Sequence, residues 1–86
     1  MTTDVPDPFE KRLYMQIAGA LRDRIASGEL AVGTRMPGTR AIKIEFATSM
    51  ETAGKALRVL ENEGRIKKWA GVGYWVLPAH DEQDDD

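Results

Sequence analysis

MPGTRAIKIEFATSMETAGKALRVLENEGRIKKWAGVGYW, residues Met36 to Trp75, is the stretch on which the fold turns. Pro37 punctuates it, because proline suits the first turn of a helix or the approach to one, and Thr39 offers a capping oxygen. A short helix is expected from Thr39 to Phe46, with Ile42 and Phe46 one turn apart on its apolar side and Ile44 off that face. Ser49 then reads as the N-cap of a longer helix, Met50 to Glu63, in which Ala53, Ala56, Leu57 and Leu60 make one apolar stripe before Gly64 stops it. After Gly64 the helical period disappears. Arg65-Ile66-Lys67-Lys68-Trp69 and Tyr74-Trp75-Val76-Leu77 are β-prone pieces joined by Ala70-Gly71-Val72-Gly73, a hairpin whose glycines permit the positive φ of a tight connection.

Upstream, Tyr14, Ile17, Ala18, Leu21 and Ile25 follow the spacing of an amphipathic helix, with Arg22, Asp23 and Arg24 mostly on the other face. Gly28 closes that helix, and Glu29 to Gly33 reads as a turn. Met1 to Pro8 has two prolines and almost nothing to bury, so it is expected to be a flexible arm, with order beginning near Phe9. Pro78 ends the last strand, and the acidic Asp81–Asp86 run is too charged to fold. The expected organisation is an arm over 1–8, one domain over 9–78 and a disordered acidic tail over 79–86. That tail reads either as a solubilising segment or as one that folds back over a basic face.

Three helices followed by a two-stranded wing, with a short turn between the second and third, is the order of a winged helix-turn-helix. The fold class expected is therefore α+β, mainly α, with a C-terminal β-hairpin wing. In that motif the third helix enters a DNA major groove, about 12 Å wide, by its N-terminal turns while the second crosses the backbone.

Composition narrows the function classes. Eighty-six residues at 42% hydrophobic content suffice for one compact domain and are too few for a second, ligand-sensing one. Without cysteine there is no disulfide framework and no thiolate metal site, which suits a reducing cytoplasm. No apolar run approaches the length of a membrane span, and the acidic N-terminus does not resemble a signal peptide. His80 is the only histidine and lies in the tail, so neither a catalytic pair nor a multi-histidine metal site is expected, and the chain is not read as an enzyme. No cofactor, metal, membrane or small-molecule site is expected.

The formal charge of −2 conceals an uneven distribution. Between Glu10 and Leu77 lie all twelve Lys and Arg against seven acids, a balance of +5, while seven further acids sit in the two terminal segments. A phosphate backbone senses this local balance, since charges act over a screening length of about 8–10 Å. A solvated surface with no nucleic-acid role is the competing explanation of the same charges.

Several stretches resemble the DNA-binding domain of the GntR family of bacterial regulators: Leu21-Arg22-Asp23-Arg24-Ile25 with Ser27-Gly28-Glu29-Leu30, Gly33-Thr34-Arg35-Met36-Pro37, Thr39-Arg40, Ala56-Leu57-Arg58-Val59-Leu60-Glu61 with Glu63-Gly64, and Gly71-Val72-Gly73-Tyr74-Trp75-Val76. The resemblance covers about Tyr14 to Val76. It implies a transcriptional regulator, expected to be a repressor, that binds double-stranded DNA. Arg40 matches the arginine that reaches DNA from the second helix in that family. Ser49-Met50-Glu51-Thr52 matches the start of its recognition helix, Gly54 and Lys55 the basic pair that follows, and Gly71 the wing glycine that approaches the groove. Arg35, Lys67 and Lys68 complete the candidate DNA-contacting set.

The chain departs from the family pattern at the reading head. Met50 and Gly54 stand where arginine is common, and Glu51 adds negative charge. Arginine to guanine is the commonest specific contact, worth about 1–3 kcal/mol. Glu51 could instead accept from a cytosine amino group, and Met50 could pack on a thymine methyl. Lys43 replaces a small residue in the second helix, and Ala47-Thr48 stands where Gly-Val is usual in the turn. Phosphate and wing contacts are therefore expected to outweigh base reading, and a winged-helix protein-interaction module that has lost sequence-specific binding is the alternative. Ser49 and Thr52 would satisfy helix-start amides in either case, and Arg40, Lys55, Arg58, Arg65, Lys67 and Lys68 could equally be solvated charges. Trp75 is expected in the core, and Trp69 fits either core or surface.

The resemblance also implies a C-terminal effector-binding, dimerising domain, which this sequence is expected to be without. The module is expected either to stand alone, dimerising on DNA or through its first helix and arm, or to act beside a partner.

Overall fold

The computed structural model describes residues 8–78. The arm and acidic tail expected from the sequence lie outside these residues, apart from Pro8. Helix α1 runs Pro8–Ser27, beginning well before the first apolar position of its stripe. Proline is well placed there, since the first helical residue has no intrahelical partner for its amide. The helix buries Ile17, Ala18 and Leu21, and Gly28, at φ +89°, closes it in a conformation that costs a side-chain-bearing residue energy.

Helix α2 spans Thr39–Glu45. Thr39 does not serve as its cap: the N-cap is Gly38, which makes no side-chain hydrogen bond, and Thr39 is the first helical residue. Ala47, in the turn, adopts φ +52° and is the single non-glycine residue with positive φ among those described. Helix α3, Met50–Asn62, starts as expected, with the Ser49 side chain accepting from the Thr52 amide. The stripe Ala53, Ala56, Leu57 and Leu60 is buried, and Thr52 is buried with it.

The sheet has three strands rather than the two of a simple hairpin. Strand β1 (Arg35–Met36) pairs antiparallel with β3 (Gly73–Val76), which pairs in turn with β2 (Ile66–Trp69), so β3 is central. Gly33 donates to the Val76 carbonyl and Val76 to that of Thr34, docking the approach to β1. A two-residue strand is too short to show alternation, so only pairing with a distant strand reveals it.

The core joins α1, α2, α3 and the inner face of the sheet, with Ile17, Leu21, Ile42, Leu57, Leu60, Ile66 and Val76 fully buried. Trp75 is not part of it. Along β3 the inward positions are Tyr74 and Val76, and Trp75, half-buried, faces out between its register partners Arg35 and Lys67. Strand parity, not side-chain size, decides which aromatic is enclosed. Trp69 is exposed and meets Trp75 edge to face at 6.3 Å.

Candidate nucleic-acid interface

The exposed side of the helix-turn-helix is assembled from α2 and the first turns of α3. Arg40 is exposed on α2, with Lys43 and Ile44 one turn further along. On α3, Met50, Glu51, Gly54, Lys55 and Arg58 fall at the spacings that share one helical face, opposite the buried stripe. Gly54 lies close to α2 without being pressed against it: a Cβ there would meet Thr39 Cγ2 at 4.0 Å, an ordinary contact. Thr52 is separated from this surface. It is buried, and its hydroxyl is 3.0 Å from the Ser49 hydroxyl, within the helix start.

The wing supplies the second group. Its tip is closed by the Val72 amide donating to the Trp69 carbonyl at 3.0 Å, with Gly71 at φ +77° exposed on the turn. On the outer face Arg35, Trp75 and Lys67 stand in one row. The Arg35 guanidinium covers Gly73 closely enough that a Cβ there would come within 3.1 Å of Nε. Lys67 places its ammonium 5.2 Å from the Trp69 ring, and Lys68 its own 5.9 Å from the Tyr74 ring. Gly33, Trp69, Val72, Trp75, Leu77 and Pro78 border an open apolar depression of about 480 Å³, a feature unforeseen in the sequence because its walls come from both edges of the sheet.

Ion pairing divides the twelve cations into two sets. Arg22 donates twice to Glu63, and Arg24 twice to Glu45 while lying 5.6 Å from the Phe46 ring. Arg65 also donates to Glu63, at 2.7 Å. These pairs tie α1 and the start of the wing to the far ends of α2 and α3. The side-chain hydrogen bonds from Arg22 and Arg24 hold the Glu63 and Glu45 carboxyls below their ordinary range. Lys55 pairs with Glu10 at 3.0 Å and with Glu51 at 3.6 Å, and lies 5.8 Å from the Tyr14 ring. The hydrogen bond to Glu10 raises its ammonium above the ordinary value. Lys11, Arg12, Arg35, Arg40, Lys43, Arg58, Lys67 and Lys68 have no carboxylate partner among the described residues. The Glu51–Lys55 pair was legible as an i, i+4 spacing; the Glu10–Lys55 pair, across two helices, was not.

Comparison with known proteins matches this geometry. The model of the gntR family of bacterial regulatory proteins fits residues 13–76. The Escherichia coli (strain K12) mannosyl-D-glycerate transport/metabolism system repressor MngR is 39% identical over 66 residues, 77% of this chain and 28% of that protein. The Exu regulon transcriptional regulator of the same strain is 35% identical over 78 residues, 87% of this chain and 30% of its own length. The chain thus spans less than a third of these relatives. Among solved structures, Streptococcus agalactiae BusR in complex with its busAB-promotor DNA superposes with a TM-score of 0.70 at 34% identity, over 76% of this chain and 32% of BusR. AraR(DBD) in complex with operator ORX1 superposes at 0.71 over 88% of this chain and 92% of that one, and at 20% identity this likeness speaks for the fold alone. With its helices, wing and sequence matching over most of its length, the chain belongs to the gntR family of bacterial regulatory proteins.

Proposed function

We propose that this chain is the DNA-binding module of a bacterial transcriptional regulator, a repressor rather than an enzyme, acting in the cytoplasm. The observation that carries this reading is the sorting of the cations. The arginines that meet carboxylates brace the scaffold, whereas Arg40, Lys43 and Arg58 on the helix-turn-helix and Arg35, Lys67 and Lys68 on the wing carry charge that no described carboxylate neutralises. Unpaired cations on a groove-sized helix and a glycine-tipped hairpin suit a phosphate backbone. The name of the repressor MngR and the promoter complex of BusR support the same reading.

In this proposal the N-terminal turns of α3 enter the major groove, presenting Ser49, Met50, Glu51, Gly54 and Lys55, while Arg40 reaches a phosphate from α2. Thr52 acts from beneath by holding Ser49. Gly71 brings the wing tip close to the neighbouring groove, and Arg35, Lys67 and Lys68 meet phosphates. Two copies on DNA would span half-sites about 34–36 Å apart. No helix among the described residues is long and apolar enough to cross a membrane.

The second reading, a winged helix that contacts protein, is favoured by Met50 and Glu51 at the head of α3 and by the apolar depression beside Trp75. Titration of labelled duplex DNA at several salt concentrations separates the two. DNA binding predicts log affinity falling linearly with log salt and a weaker complex for Arg40→Ala. Absence of duplex binding at about 50 mM salt would leave the protein-contact reading.

A further inference from the structure

Lys55 differs from the other cations of the helix-turn-helix surface in being already engaged. Its ammonium lies 3.0 Å from Glu10 Oε1 and 3.6 Å from Glu51 Oε2, and the Tyr14 ring lies under it at 5.8 Å. Glu10 and Tyr14 are one turn apart on α1, so the start of α1 presents an acid and an aromatic face to the same lysine. Two carboxylates and one ammonium leave this corner of the candidate surface with a local charge of −1. A lysine ammonium has three donors, and here two carboxylates and a ring already surround it.

We propose that Glu10 limits DNA affinity by occupying Lys55, making the start of α1 a determinant of how tightly the recognition helix holds duplex DNA. The inference rests on the DNA-binding reading above. On the duplex, Lys55 must exchange Glu10 for a phosphate, and the carboxylate it leaves repels that phosphate. Glu51 is a weaker competitor, being the more distant of the two acids and more exposed, at 74% against 26% for Glu10. Removing the Glu10 charge therefore strengthens binding, and by more than the same charge change made elsewhere on α1.

The test is a fluorescence anisotropy titration of the full chain with a labelled mixed-sequence duplex of about two helical turns, from about 50 to 200 mM salt. Glu10→Gln is expected to bind about three- to ten-fold more tightly at the lowest salt, with the slope of log affinity against log salt steeper by about one. Asp23→Asn, which makes the same charge change elsewhere on α1, should move affinity less than about twofold, as should Glu10→Gln in a Lys55→Met background. Glu10→Lys should exceed Glu10→Gln. Equal gains from Glu10→Gln and Asp23→Asn, or an undiminished gain without Lys55, would overturn the inference in favour of a general charge effect. If the parent chain binds duplex and Arg40→Ala weakens it, yet Glu10→Gln leaves affinity unchanged or lowers it, the inference alone fails. A parent chain that binds no duplex removes the DNA-binding reading and this inference together.

Discussion

The guanidinium of Arg22 donates to both oxygens of Glu63, at 3.1 Å from Nε and 2.7 Å from Nη2, and so ties α1 to the C-cap of α3. Arg24 makes the equivalent double contact with Glu45 at the end of α2. Both helices of the helix-turn-helix are thus tied to α1 at their C-terminal ends, α2 just before the turn and α3 at the end remote from the candidate reading head.

Both carboxyls sit below their ordinary range in the folded chain, mainly because of these hydrogen bonds. A group whose pKa is depressed on folding stabilises the protein above its unfolded value, about 4.3, and loses that contribution as pH falls through the lower folded value. The unfolding free energy from denaturant titrations should therefore drop between about pH 5 and pH 3, by about 0.5–1 kcal/mol for each exposed pair. In the double variant Glu45→Gln, Glu63→Gln the drop should shrink; an unchanged pH profile would show that the pairs contribute nothing.

Ala47 holds φ +52° in the turn between α2 and α3, where a Cβ crowds the following carbonyl at about 1–2 kcal/mol. Glycine would relieve this at an entropic cost of about 0.5–1 kcal/mol. Ala47→Gly is expected to raise unfolding free energy by about 0.5–1 kcal/mol, measured by urea denaturation. A loss of stability would mean that the turn carries no such strain.

Gly54 has open space toward Thr39, with the nearest contact of an added Cβ at 4.0 Å. Gly54→Ala should stabilise α3 by about 0.5–1 kcal/mol. Gly54→Arg should retain much of that gain and, under the proposed function, steepen the salt slope of duplex binding by about one. Stabilisation without any change in DNA affinity would move position 54 off the binding surface.

Tyr74 is buried at 9% exposure while Trp75, the larger ring, is only half enclosed. Truncation should follow burial rather than size: about 3–4 kcal/mol lost for Tyr74→Ala and about 1–2 kcal/mol for Trp75→Ala. Thermal and denaturant unfolding of the two variants decides it, and the reverse order would place Trp75 in the core.

Much of this fold was legible residue by residue. The stripes of α1 and α3, the Ser49 cap, the Gly28 stop and the wing hairpin depend on groups within a turn or two of one another, and local chemistry of that range is written in spacing. The exposure of Ile44 beside buried Ile42 was read the same way. The start of α2 at Thr39 was legible too, but its cap was placed one residue late, because Gly38 and Thr39 both suit a cap and composition does not choose between neighbours.

The sequence by itself therefore determined the order of helices and wing, the apolar stripes of α1 and α3, and the family resemblance. Only the tertiary structure decided that Arg35–Met36 would join the sheet across from Tyr74 and Trp75, that Tyr74 rather than Trp75 would face inward, and that Lys55 would meet Glu10. Those outcomes link residues far apart in the chain. Their physical basis is the register of one strand on another and the seating of α1 on α3, which form only when the whole core closes and leave no mark in local periodicity.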